Sequence, residues 1–332
     1  MERMLARKRS SSSLSRKRSN SGTSMTPSDQ RPREEKSAPY RDNRYELVLQ
    51  TKGVYLVASD EGITDTSKRL IRDLLDREQP VPRDTIFDDE VFPDACRNLW
   101  GQNEARIVQD ISRLIVPSAE ALALRAKHLK SLVESVNAGW NSSIPLTGTR
   151  PQPDYSVGFK RAAFTDDQLT KLSPFIGDLV NGDVSIFMAT HHIYFPFLSC
   201  EVTCGEIGLD IPDRQNAHSM TLAVRAVAEL FRVVKREAEI HRQILAFSVS
   251  HDHNSVRIYG HYAVIRGDGS VMYYRHPIHK FDFTTLDGKE KWTAYRFIRN
   301  IYDVWAPTHL KLICSAIDQL PHYDWYNWRL IH

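Results

Sequence analysis

Three acidic side chains, Asp154, Glu201 and Glu104, carry the chemistry on offer in this sequence. Asp154 sits in the strand-like run Pro153-Asp154-Tyr155-Ser156-Val157-Gly158, and Glu201 in Phe197-Leu198-Ser199-Cys200-Glu201-Val202-Thr203. Side chains on a strand alternate between faces. Asp154, Ser156 and Gly158 therefore share one face of the first run. Glu201 and Thr203 share one face of the second, with Leu198, Cys200 and Val202 on the other. Carboxylates on otherwise apolar strands are costly to bury unless a cation sits between them. A hard divalent metal, Mg²⁺ or Mn²⁺, suits such a site, because it takes a few carboxylates together with waters and a phosphate. Glu104 heads a helical stripe with Val108, Ile111 and Ile115. It is either a first-turn acid favoured by the helix dipole or a third ligand facing the sheet.

The remaining ligand-type residues form no closed pattern. Cys200 and Cys204 flank the Glu201 strand, but four residues of extended chain span about 13 Å. With Cys96 and Cys314 they read as reduced thiols rather than a disulfide framework. His251 and His253 lie on one strand face, and His191-His192 and His276/His279 add four more imidazoles. A structural zinc needs four converging ligands with intact supporting partners, which no spacing here supplies. Gln215, near the start of a long helix, is a candidate substrate contact or an N-terminal cap. Arg214 and Lys235 border that helix, and Arg225, Arg232 and Arg236 share one of its faces. They are candidate substitute cations or a solvated face.

The positioning elements follow from periodicity. Leu47-Val48-Leu49 and Val54-Tyr55-Leu56-Val57 read as short strands, and Ser67–Leu75 as a helix. Trp100 to about Asn137 reads as helical with an interruption at Pro117-Ser118, where Ser118 can cap a second helix. Strand-rich zones at 154–160 and 184–203 follow, with a short helix near Asp166–Leu172 between them. Next come a helix over Met220–Val234 and strands at Ile244–Ser250, Ser255–Ile265 and Val271–Arg275, the last two joined by Gly267-Asp268-Gly269. Lys289–Leu320 supplies one or two helices broken at Pro307.

The formal charge of +3 hides an asymmetry: residues 1–44 hold twelve Lys/Arg and five Asp/Glu, a net of +7, which leaves −4 for the other 288. A slightly acidic body weighs against tight nonspecific nucleic-acid binding by the core alone. Residues 1–40 are Ser-, Arg- and Pro-rich, too poor in large apolar side chains to offset ordering entropy, and are expected to be disordered. Their clusters Arg7-Lys8-Arg9 and Arg16-Lys17-Arg18 are either a nuclear import signal or a solvating basic tail. No stretch approaches the 18 apolar residues of a membrane span, and the N-terminus has no apolar secretory core. The expected location is intracellular and nuclear, with the cytoplasm or mitochondria as alternatives. The organisation is a tail (1–40), a lead-in (41–92), an α/β domain (93–321) and an aromatic tail (322–332). Tyr323, Trp325, Tyr326 and Trp328 of that tail can stack on unpaired bases or dock on protein.

The order helix with Glu104, strand with Pro153-Asp154, strand with Glu201-Val202-Thr203, helix, strand resembles the PD-(D/E)XK, or restriction-endonuclease-like, phosphodiesterase fold. Residues from about Arg97 to Pro321 also resemble a family of filamentous-fungal proteins to which no activity is attached. The resemblance lies in the blocks Asn216–Arg225, Arg275–Phe283 and Leu286–Trp292. The superfamily resemblance implies a mixed central sheet flanked by helices, with metal held by Asp154, Glu201, the Val202 carbonyl and Glu104. The metal would lower the pKa of a bound water and stabilise phosphoryl charge. The superfamily's lysine, two residues after the second acid, is Thr203 here. Losing such an electrostatic group costs on the order of a hundredfold or more in rate, although a hydroxyl still hydrogen-bonds water. Two functions follow as expectations: a weakened Mg²⁺-dependent nuclease, or a non-catalytic nuclease-fold module that binds nucleic acid or protein.

Overall fold

The structure, a computed structural model, describes residues 4–7, 38–204 and 208–322. The basic clusters other than Arg7, and the aromatic tail beyond His322, lie outside the described residues. The chain begins with α1 (Tyr45–Gln50), β1 (Val54–Tyr55), α2 (Asp65–Asp76) and α3 (Phe92–Leu99). Three short helices follow, α4 (Glu104–Asp110), α5 (Ser112–Ile115) and α6 (Ala119–Ala123), then β2 (Leu132–Val136) and β3 (Tyr155–Phe159). Next come α7 (Asp166–Ile176), β4 (Tyr194–Val202), α8 (Asp210–Val233) and the strands β5 (Ile244–His251), β6 (Ser255–Ile265) and β7 (Val271–Asp282). Helices α9 (Thr293–Asn300) and α10 (Ala306–Ile317) close the order, with a π-helical turn over Ile301–Trp305 between them.

The seven strands form one mixed sheet in the order β1-β7-β6-β5-β4-β3-β2. β4 pairs with β5 in parallel through the α8 crossover, and β1 from the lead-in pairs in parallel with β7; the other neighbours are antiparallel. Helices cover both faces. Every residue of β3, β4 and β5 is buried, as expected of a sheet with no solvated side. On one face Phe247 packs its ring against Phe297 and Trp305, with centroids 5.8 and 4.9 Å away. On the other face Ser248 and Ser250 look toward α8, where Ala217, Ala223 and Ala226 let the helix approach closely.

Four expectations are corrected. Leu47-Val48-Leu49 is helical, part of α1. Burial there follows the helical spacing, with Tyr45 and Leu49 inside and Leu47 and Val48 outside. The helical zone from Trp100 ends early, and Leu132–Val136 is a strand. Its apolar residues suit either period, and the open edge of β3 gives its backbone a hydrogen-bonded ladder. The helix at Glu104 also breaks at Ile111, whose φ is −121°. The buried stripe is Ile107, Ile111 and Ile115, with Glu104 and Val108 on its half-buried shoulder. Pro307 does not break a helix; helical backbone runs through it, and the π-helical turn Ile301–Trp305 just before it loosens the hydrogen-bond ladder where the proline lacks an N–H.

Gly158 marks a register shift in β3. A Cβ there would lie 2.5 Å from Ile193 Cγ2, 2.8 Å from Tyr194 O and 3.0 Å from Pro196 Cα. Backbone atoms cannot retreat cheaply, so Gly158→Ala is expected to destabilise the protein by about 1–3 kcal/mol. Urea unfolding measures this, and an unchanged midpoint would contradict the packing described.

Candidate functional site

Strand register brings Asp154 and Glu201 together. Tyr155 faces Cys200 and Ser156 faces Ser199 across the antiparallel β3–β4 pair, which places Asp154 opposite Glu201. The Val202 N–H donates to Asp154 Oδ2 at 2.8 Å. Asp154 is 5% exposed and Glu201 1%. Both acids raise the Cys200 thiol pKa, a smaller effect than that of its burial. Thr203 is also buried, and its N–H donates to His251 O at 3.0 Å. The position where the superfamily carries a lysine therefore holds a buried, uncharged side chain.

Helix α8 is fastened to this face by a buried amide. Asn216 accepts from Ser199 Oγ at 2.5 Å and donates to Val249 O at 2.8 Å and Ser250 Oγ at 3.0 Å. The next turns of α8 carry a clamp. Tyr40 and Tyr45 hydroxyls hydrogen-bond with His218 Nδ1 at 2.9 and 3.3 Å. Arg214 donates to Tyr40 O at 2.7 Å, Asn43 Oδ1 at 2.6 Å and Glu46 Oε1 at 3.2 Å. Burial pushes the Tyr40 phenol well above its usual pKa, with Tyr45 and Glu201 adding to the shift. Residues 40–46 therefore form a strap held on α8 through Arg214 and His218.

Glu104 enters from the other layer. Its helix packs against β4 and runs directly into α5. There Ser112 Oγ meets His251 Nε2 at 3.1 Å, on the face opposite Ser250 and Glu201. Among the described residues no group of three or more His, Cys, Asp or Glu side chains is placed to hold a metal ion. Mg²⁺ requires near-octahedral oxygens and retained waters. A buried acid pair with one oxygen engaged by Val202 N–H is a poor fit to it in this arrangement.

The other candidates sort as follows. Gln215 is half-buried in the second turn of α8, beyond the capping position, and its carbonyl accepts from Ser219 Oγ. Arg214 holds the strap, Arg225 bonds Ile144 O, Arg232 pairs with Glu229, and Arg236 pairs with Glu239 and Ser315. Each of these four arginines has a partner outside the acid pair. Arg113, 4.2 Å from the Tyr155 ring centroid, is a cation beside β3 with no motif to announce it. Tyr40, Asn216 and His218 were also not singled out as site residues. The signal for the last two was polar residues on the buried side of an otherwise apolar helix, inside the block Asn216–Arg225. The four cysteines are free.

The sequence profile of a domain of unknown function, DUF7924, matches residues 91–317, more than half of the chain. Comparison with curated proteins gives no match. No helix among the described residues is long and apolar enough to cross a membrane.

Burial holds His218, His261 and His309 neutral, each with its pKa lowered to about 3. The unfolded chain binds protons at these sites near pH 6.5 and the folded chain does not, so stability rises with pH across that interval. It is complete above about pH 7 and falls as pH drops from about 6.5, by up to about 1.4 kcal/mol per unit for each histidine. Urea midpoints at pH 7, 6 and 5 are expected to fall in that order; a flat profile would show the histidines to be accessible.

Proposed function

We propose that this chain, which belongs to the DUF7924 family of domains of unknown function, is a PD-(D/E)XK-like module that binds nucleic acid without hydrolysing it. The reading rests on the order of elements and on the state of the acid pair. A helix with Glu104, three antiparallel strands, a crossover helix and a parallel fourth strand follow one another in the order that the superfamily resemblance implies. Asp154 and Glu201 face each other on neighbouring strands of that frame. The observation that carries the non-hydrolytic reading is Thr203. It is buried, its backbone is bonded to β5, and it puts no charge where a transition state needs one.

A second reading is favoured by the strap. Tyr40, clamped by Arg214 and His218, could close an Mg²⁺-dependent phosphodiesterase that acts once residues 40–46 lift. The superfamily resemblance would then assign Asp154, Glu201 and the Val202 carbonyl to the metal, which would supply Lewis-acid stabilisation of the phosphoryl oxygens.

Both readings meet in one assay on the full chain with single- and double-stranded DNA and RNA, in Mg²⁺ or Mn²⁺. The expected outcome is retention of the nucleic acid without cleavage, and equal melting temperatures in chelator and in excess metal, since a cation bound only to the native state would raise them. Cleavage that disappears in Asp154→Ala would sink the non-hydrolytic reading. Arg214→Ala is expected to speed limited proteolysis within residues 38–50; metal-dependent cleavage appearing in that variant alone would select the gated enzyme.

A further inference from the structure

Helix α3 ends at Trp100, and the chain turns away through Gly101 at φ +71°, a left-handed conformation suited to glycine. The Trp100 indole is 73% exposed, whereas Trp140 is wholly buried. Water is an unfavourable medium for an indole, so the fold presents a flat apolar surface that its own packing does not use. Across from it, in the turn between β5 and β6, stands His253. Its ring centroid is 5.2 Å from that of Trp100, edge to face. His253 is only 9% exposed, and its Nε2 has no hydrogen-bond partner.

The pair borders a cavity of about 480 Å³ lined by Cys96, Arg97, Trp100, His253, Asn254 and Thr284, within the size range of small-ligand sites. Arg97 is exposed and its partner is the equally exposed Asp94, one turn away on α3. A surface pair of that kind is weak, so the guanidinium can turn to an anion. The neighbouring cavity shares Cys96 and Thr284 but has Asp89 and Asp287 in its wall, which repels phosphate. A ligand with a planar ring and one negative group therefore has a single favourable orientation, ring on Trp100 and anion at Arg97. The position along the fold adds to this. His253 lies two residues past His251, whose carbonyl holds Thr203, so the cavity opens near the ends of β4 and β5, the end of β4 being the one that carries Glu201.

We propose that this cavity is a subsite for one unpaired nucleotide of a single strand. Its base stacks on Trp100, its edge hydrogen-bonds His253 Nε2, and its phosphate meets Arg97. The subsite rests on the nucleic-acid reading above and specifies the substrate class as single-stranded. A neutral imidazole nitrogen serves as donor or acceptor according to tautomer, and every base edge offers both, so the subsite tolerates sequence.

The test is fluorescence anisotropy of the full chain with a labelled oligo-dT or oligo-U, alongside titration with a free nucleoside monophosphate followed by ligand-observed NMR. Trp100→Ala is expected to weaken oligonucleotide binding about tenfold to a hundredfold, with Trp100→Phe restoring most of it. Arg97→Ala is expected to reduce the salt dependence of binding by about one phosphate contact. Melting temperature controls for folding, and an exposed side chain should leave it unchanged. If the wild type binds the oligonucleotide and Trp100→Ala binds it equally well, the subsite is wrong and the nucleic-acid reading stands. If no oligonucleotide binds but the monophosphate saturates a site lost in Trp100→Ala, the cavity takes a free nucleotide, and both the single-strand subsite and the nucleic-acid reading fail. Binding of neither ligand would overturn both.

Discussion

The carboxamide of Asn216 bonds to both strands that α8 connects, to β4 through Ser199 and to β5 through Ser250 and the Val249 carbonyl. A polar side chain 1% exposed is costly unless its donors and acceptors are used. Here both ends of the amide are used, and they are satisfied only when the helix sits at one height over the sheet. That height in turn sets where Arg214 and His218 project, two residues to either side. The strap therefore depends on the same amide. Without it α8 would still cover the sheet by apolar contact, but with no single register.

Held in that register, the strap and the acid pair form one polar layer inside an otherwise apolar sandwich. The layer is only partly satisfied, since the buried His218 Nε2 has no hydrogen-bond partner among the described residues. Small hydroxyls thread the layer: Ser135 meets Ser156 at 2.9 Å, and Ser248 meets His261 at 2.8 Å. The serines on the α8-facing side of β3, β4 and β5 leave room for the helix while answering its polar atoms. A second network fixes the far edge, where Asp213 accepts from Tyr259 Oη at 2.8 Å and from Arg257 at 2.9 Å. The two networks bracket α8 across β4 to β7.

The acid pair is therefore embedded in structure rather than displayed on a rim. Strand alternation decides this: the face that carries Asp154 and Glu201 is the face α8 covers, whereas α4, with Glu104, belongs to the opposite layer. Which side of a sheet a helix will occupy cannot be read from the strand or the helix taken separately. Thr203, by contrast, was legible from one position in the sequence, and its burial sharpens its meaning. The cavity at Trp100 and His253 gave no local signal, because residues 153 positions apart meet only through the fold.

What the amino-acid sequence determined alone was the succession of elements with strong periodicity: the strands flanking the acids, the long helix after Glu201, the hairpin at Gly267-Asp268-Gly269 and the C-terminal helices. Those patterns are local, since alternation and helical spacing are read within a few residues. It also supplied the pairing of Asp154 with Glu201, because two antiparallel strands leave few registers that bury their apolar faces. The tertiary structure decided what short ambiguous runs became, as at Leu47–Leu49 and Leu132–Val136, where an available sheet edge or a docking histidine outweighed weak preference. It alone decided that Tyr40 would meet His218, 178 positions away along the chain. Contacts of that length are set by how whole layers pack, and layer packing is a property of the assembled sheet and helices rather than of any one segment.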